Sequence, residues 1–121
     1  MATISLQELN ETGIASLTFT ACEEDGDVFN NSGNQFIVLK NDDSETSVTL
    51  TITAQKATVN SPLYGTLSKA NATLVVVAGR LGYIGPFKAP SFNNGDGNVE
   101  FTCSVVDDIS VAIVTLATGT I

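Results

Sequence analysis

Over residues 46–55, apolar and mostly hydroxyl-bearing side chains alternate without a break. Val48, Leu50, Ile52 and Ala54 occupy one set of positions; Ser47, Thr49, Thr51 and Thr53 occupy the other. A period of two matches a pleated strand, whose successive side chains leave opposite faces. It fits no amphipathic helix, in which the apolar stripe recurs every three or four residues. This stretch is therefore a strand with one buried face and one wet face. The pattern returns at 98–105, where Val99, Phe101, Cys103 and Val105 alternate with Glu100, Thr102 and Ser104. At 16–22, Leu17 and Phe19 alternate with Thr18 and Thr20. Fifteen Thr, twelve Val and eight Ile supply β-branched side chains that sit well on a pleated surface.

Two segments are apolar on both faces: 35–40, through Phe36, Ile37, Val38 and Leu39, and 109–116. They read as central strands covered on both sides, or as strands at a subunit contact. Residues 72–77 and 83–87 complete the set, and 3–6 reads as a short strand or an arm. Helical signals are confined to single turns near 6–9 or 89–92. Between strands lie turn sequences such as Glu24-Asp-Gly-Asp, Asn30-Asn-Ser-Gly-Asn, Asn41-Asp-Asp-Ser and Asn93-Asn-Gly-Asp-Gly-Asn. In Ile84-Gly-Pro-Phe the proline lacks a donor, so the strand ends there or lies at an edge, and Phe87 turns inward. Phe29, Phe36, Phe87, Phe92 and Phe101 are expected in the core or its lid. Residues 56–70 are too long for a tight hairpin and read as a crossover between sheets or a contact element.

Seven or eight antiparallel strands with turns at this spacing predict an all-β fold. The expected architecture is a single β-sandwich or jelly-roll-like domain over 1–121, with 1–11 as an N-terminal arm. The length, 121 residues, suits one core and no second one.

The residue inventory excludes several chemistries. Without His there is no Ser-His-Asp or Cys-His site, and two Cys alone make no four-ligand zinc centre. Five Lys and Arg against thirteen acids, a net charge of −8, argue against nucleic acid as a partner. The acids concentrate in the first half, at Glu23, Glu24, Asp25 and Asp27 and at Asp42, Asp43 and Glu45. Both clusters read as solvated loops or a contact surface. Asp25-Gly-Asp and Gly95-Asp-Gly lack the spacing of a calcium loop and read as turns. Neither a metal nor a cofactor is expected. Met1-Ala-Thr-Ile is no signal peptide, and no apolar run approaches the ~20 residues that span a membrane, so the expectation is a soluble, unexported chain, or one released by a route other than a signal peptide. Cys22 and Cys103 read as free buried thiols, or as a disulfide if their strands are neighbours.

The run Gly26-Asp-Val-Phe-Asn-Asn-Ser-Gly-Asn-Gln-Phe-Ile-Val-Leu-Lys-Asn resembles the opening of small tailed-bacteriophage head decoration (cement) proteins, in which G-D-x-F-x-N-x-G precedes a strand ending in K-N. A Thr/Val strand, then Tyr83-Ile-Gly-Pro-Phe, then Phe92-Asn-Asn-Gly-Asp-Gly-Asn-Val and a final β-branched strand follow in the same order, over about residues 12–116. The segment 56–69 looks longer than in the shortest relatives, and Glu23-Glu24 departs from their pattern. The resemblance implies a non-enzymatic virion protein on the capsid exterior, made in the host cytoplasm. Its partner would be the phage major capsid protein, bound as a homo-oligomer, trimer or dimer. Expected contacts are Ile4, Leu6 and Leu9 of the arm, Pro62, Leu63 and Tyr64 of the excursion, and Asp25 and Asp27 of the acidic loop. The competing reading is a carbohydrate- or cell-surface-binding β-sandwich module of a phage tail or fibre.

Overall fold

The computed structural model describes residues 2–55, 58–61, 63, 65–68 and 70–116. Its strands are β1 (Ala2–Thr3), β2 (Leu6–Leu9), β3 (Thr20–Ala21), β4 (Asp27–Asn30), β5 (Gln35–Asn41), β6 (Val48–Ile52), β7 (Thr58–Ser61), β8 (Gly65–Ser68), β9 (Ala72–Val76), β10 (Leu81–Ile84), β11 (Asn98–Cys103) and β12 (Ile109–Leu116). One helical turn, α1 (Ala89–Phe92), precedes β11.

Two five-stranded sheets form a sandwich. One has the order β1-β4-β11-β6-β9; in the other, β10-β5-β12-β2, the short β3 also pairs with β12. The alternation in the sequence sets which faces meet. Val48, Leu50 and Ile52 of β6 and Val99 and Phe101 of β11 share one core with Ile37 and Leu39 of β5 and Val111 and Ile113 of β12. Phe29, Phe87, Phe92 and Phe101 join them, with Phe29 about 6 Å from both Phe87 (6.0 Å) and Phe101 (6.1 Å). Phe36 does not. It lies on the outer face of the second sheet, in a separate cluster with Val38, Ala112 and Val114.

That outer cluster answers the question raised by the two doubly apolar strands. Their second face is covered by the chain itself: Leu9, Ile14, Leu17 and Phe19 pack over it. The alternation at 16–22 therefore marks a covering flap, and only Thr20–Ala21 pairs as a strand. The Gln7 side chain fastens the flap by mimicking a ladder pair. Its Nε2 donates to the Thr18 carbonyl (2.8 Å), and the Thr18 N–H donates to its Oε1 (2.9 Å). Gln7→Ala removes both bonds at an exposed site, an expected loss of about 1 kcal/mol. Amide exchange should quicken at Thr18 and its neighbours while the amides of β6 and β11 keep their protection.

The N-terminal segment departs from the expected arm. β1 pairs in parallel with β4 and β2 in parallel with β12, so residues 2–9 form an edge strand of each sheet in turn. Ile4, between them, is 4% exposed and belongs to the core. An apolar residue at the crossing of two sheet edges gains more from burial there than from projecting into water. Removing residues 2–9 would thus strip both sheets, rather than delete a free contact arm. These two pairings also make both sheets mixed rather than purely antiparallel.

The 56–70 segment differs as well. Within it, β7 and β8 pair with each other as a hairpin. The strands on either side of it, β6 and β9, are antiparallel neighbours in one sheet. The segment is therefore an insertion between adjacent strands, not a crossover. Of the two single-turn helical signals, only 89–92 is helical; 6–9 is β2.

The turn motifs have definite structural work. Asn31, 5% exposed, donates from Nδ2 to the Phe87 carbonyl (3.0 Å) and to Asn93 Oδ1 (2.7 Å), while Asn93 Nδ2 returns a bond to the Asn31 carbonyl (2.9 Å). This reciprocal clamp joins the β4–β5 turn to the segment around α1. Asn41, 1% exposed, ties β5 to the other sheet by donating to the carbonyls of Thr46 (2.9 Å) and Val76 (3.0 Å). Buried amides satisfied on both sides fix how the two sheets meet.

Candidate interaction surface

The contact residues expected from the sequence do not gather at one place. Ile4 is in the core, and Asp27 is 1% exposed, its Oδ2 accepting the Glu23 N–H at 3.2 Å. Neither is available as a surface contact. In Asp27 the acidic residue faces in because β4 is buried on both sides, in the pattern buried-buried-buried-exposed. Leu6 is exposed, and Leu9 is half-buried against the outer cluster of Val38, Ala112 and Val114. Asp25 is exposed at the turn before β4. Leu63, 84% exposed, lies at the turn between β7 and β8, whereas Pro62 and Tyr64 lie outside the described residues.

The second acidic loop is organised locally. Asp43 Oδ1 accepts the N–H groups of Glu45 and Thr46, both at 2.8 Å. Those two bonds hold its carboxyl below the ordinary Asp range. Asn41 Oδ1 in turn accepts the Asp43 N–H at 3.0 Å. These side chains shape a turn, as the Asx chemistry of the sequence predicts.

A different surface stands out. Val75 (61% exposed), Val77 (54%), Leu81 (49%) and Tyr83 (62%) are large apolar or aromatic side chains left in water. They sit on β9, β10 and the turn between them. β9 ends one sheet and β10 ends the other, so the outward edges of both are unpaired among the described residues. Alternation accounts for their direction: Leu74 and Val76 of β9, and Ile84 of β10, pack toward the core, leaving Val75 and Tyr83 outside.

The two edges meet closely because Gly82 has no side chain. A Cβ there would lie 2.5 Å from Val76 Cγ2 and 3.1 Å from Leu74 Cδ2. Asn41 braces the corner through its backbone, its N–H donating to the Arg80 carbonyl (3.0 Å) and its carbonyl accepting the Gly79 N–H (2.9 Å). The result is a shallow groove lined by Val75, Val77, Leu81 and Arg80 over Leu74 and Val76. No acid lines it, in a chain of net charge −8.

The sequence carried a signal for this surface. Residues 74–77, Leu-Val-Val-Val, are apolar on both faces in the same way as β5 and β12. There the chain covers the second face; here none of the described residues covers it.

Among the described residues, no three His, Cys, Asp or Glu side chains are placed to hold a metal ion, and no helix is long and apolar enough to cross a membrane. Comparison of the chain with protein-family models, curated proteins and solved structures finds no match.

Proposed function

We propose that the chain is a structural virion protein, a decoration or cement protein that binds the outer surface of an icosahedral phage head and strengthens contacts between major capsid protein subunits. The observation that carries this reading is the apolar groove of Val75, Val77 and Leu81, lined by no acid, where β9 and β10 end their two sheets among the described residues. Apolar surface of this kind, next to unpaired backbone donors and acceptors, favours a protein partner. The ordered motifs from Gly26 to the closing β-branched strand supply the class of partner through their resemblance to head decoration proteins.

The physics of such a role is linkage. A protein that binds only the assembled shell stabilises that shell in proportion to its own affinity. Copies joined as trimers or dimers, each touching several capsomers, convert modest single contacts into durable attachment.

The groove is tested by charge insertion. Val75→Asp combined with Leu81→Asp places two carboxylates in the groove at exposed positions and disturbs no buried group. Head binding is expected to weaken by roughly thirty-fold or more, as for a central hot spot. Circular dichroism and thermal unfolding should stay close to those of the parent. Unchanged binding to heads would remove the groove from the contact. Binding to glycans in place of heads would favour the tail or fibre module.

A further inference from the structure

Cys22 and Cys103 approach each other across the two sheets. Cys22 follows β3, and its N–H donates to the Ile109 carbonyl of β12 at 3.1 Å. Cys103 ends β11 in the opposite sheet. Both are free thiols, and their Sγ atoms are 3.5 Å apart, within hydrogen-bonding reach. A disulfide needs about 2.05 Å, so the sulfurs must close by roughly 1.5 Å, a matter of side-chain torsion once the strands are already in place.

The two thiols are not equivalent. Cys22 is buried, whereas Cys103 is half-buried and lines a shallow groove with Glu24, Ser104, Val105 and Asp107. The hydrogen bond shared with Cys22 holds the Cys103 thiol below the ordinary range, although burial and the Asp27 carboxylate work against it. The same pairing, then burial, pushes the Cys22 thiol up. The accessible sulfur is therefore also the one that ionises first, as an attacking thiol must.

We propose that Cys22 and Cys103 are a dithiol pair that closes into a bolt between the two sheets when the protein meets a small-molecule disulfide. The Cys103 thiolate attacks one sulfur of the reagent, forming a mixed disulfide and releasing one small thiolate. Cys22 gives up its proton and attacks the Cys103 sulfur, forming the Cys22–Cys103 bond and releasing the second small thiolate. Two electrons pass from the protein to the reagent. The two protein protons end on the two released thiols, so the balance closes with one disulfide lost and one gained. The bond joins residues 81 apart in sequence, so it restricts the unfolded chain strongly.

Cystamine is a suitable probe because it is cationic and the chain carries a net charge of −8. Native protein treated with it should lose the mass of two hydrogens, retain no cysteamine, and yield a Cys22–Cys103 cross-linked peptide. Its thermal midpoint should rise by roughly 10 °C and return on reduction. Cys22→Ser should hold a stable cysteamine adduct on Cys103, while Cys103→Ser should stay unmodified because Cys22 is buried. Native protein that keeps both thiols, while denatured protein oxidises, would overturn the proposal. So would a stable double adduct or a disulfide between two chains. The mass and peptide readouts use the parent protein, so they stand even if a serine variant fails to fold.

Discussion

Phe29→Ala is expected to lower the unfolding free energy by about 3–5 kcal/mol, the range for truncating a fully buried aromatic. Phe29 is 0% exposed on β4 and touches the rings of both Phe87 and Phe101, while Phe87 in turn meets Phe92 edge-on at 5.6 Å. Three of these rings lie on different elements, β4, β11 and α1, and the fourth on the segment leading into α1. The cavity left by truncation cannot collapse without moving several of them. A domain of this size holds only about 5–15 kcal/mol in total, so the loss is a large share. Urea unfolding should show a markedly lower midpoint with an unchanged slope. Phe36→Ala, made on the half-buried outer face, should cost clearly less.

Gly85→Ala is expected to cost on the order of 3 kcal/mol or more, from two sources that add. Gly85 has φ of +134°, a conformation that side chains with a Cβ rarely adopt. A Cβ there would also lie 2.8 Å from Phe36 Cβ, 2.9 Å from Phe36 Cα and 3.0 Å from the Gln35 carbonyl. The obstacle is largely backbone, and it belongs to β5, which is held on both sides by β10 and β12. It has little freedom to yield. Gly95→Ala is the matched control: nothing lies within 4 Å of its Cβ position, and the expected change is within about 0.5 kcal/mol. Thermal unfolding of the two variants side by side checks the difference; equal midpoints would contradict it.

Much of the fold was legible because alternation is a direct record of burial. β6 shows it most plainly, with Val48, Leu50 and Ile52 buried and Thr49 and Thr51 between them half-buried. The double apolarity of β5 and β12 was legible too, but not its cause. A flap of irregular backbone can cover a sheet face as well as a subunit can, and no local pattern distinguishes the two. The N-terminal strands were hidden for a related reason: β1 is two residues long, and its pairing partner lies some 25 residues away, at Asp27 and Val28.

The contact surface was harder to read than the core. An Asp in a Gly-rich acidic run looks solvated, yet Asp27 is drawn inside because β4 is buried on both faces. The doubly apolar run at 74–77 marks β9 as a strand with two apolar faces, but only the structure shows that Val76 is buried while nothing among the described residues covers Val75. The motifs that carry the resemblance to decoration proteins, Asn31 and Asn93 among them, turn out to clamp turns together. Both side chains are spent on bonds inside the fold.

The most direct test of the proposed role is co-sedimentation of the purified protein with DNA-filled phage heads that lack it, scored together with the temperature at which the heads release DNA. The account predicts saturable binding at a fixed number of copies per head, with DNA release moved to higher temperature in step with occupancy. Heads that sediment without the protein, or bind it without any gain in heat resistance, would contradict it.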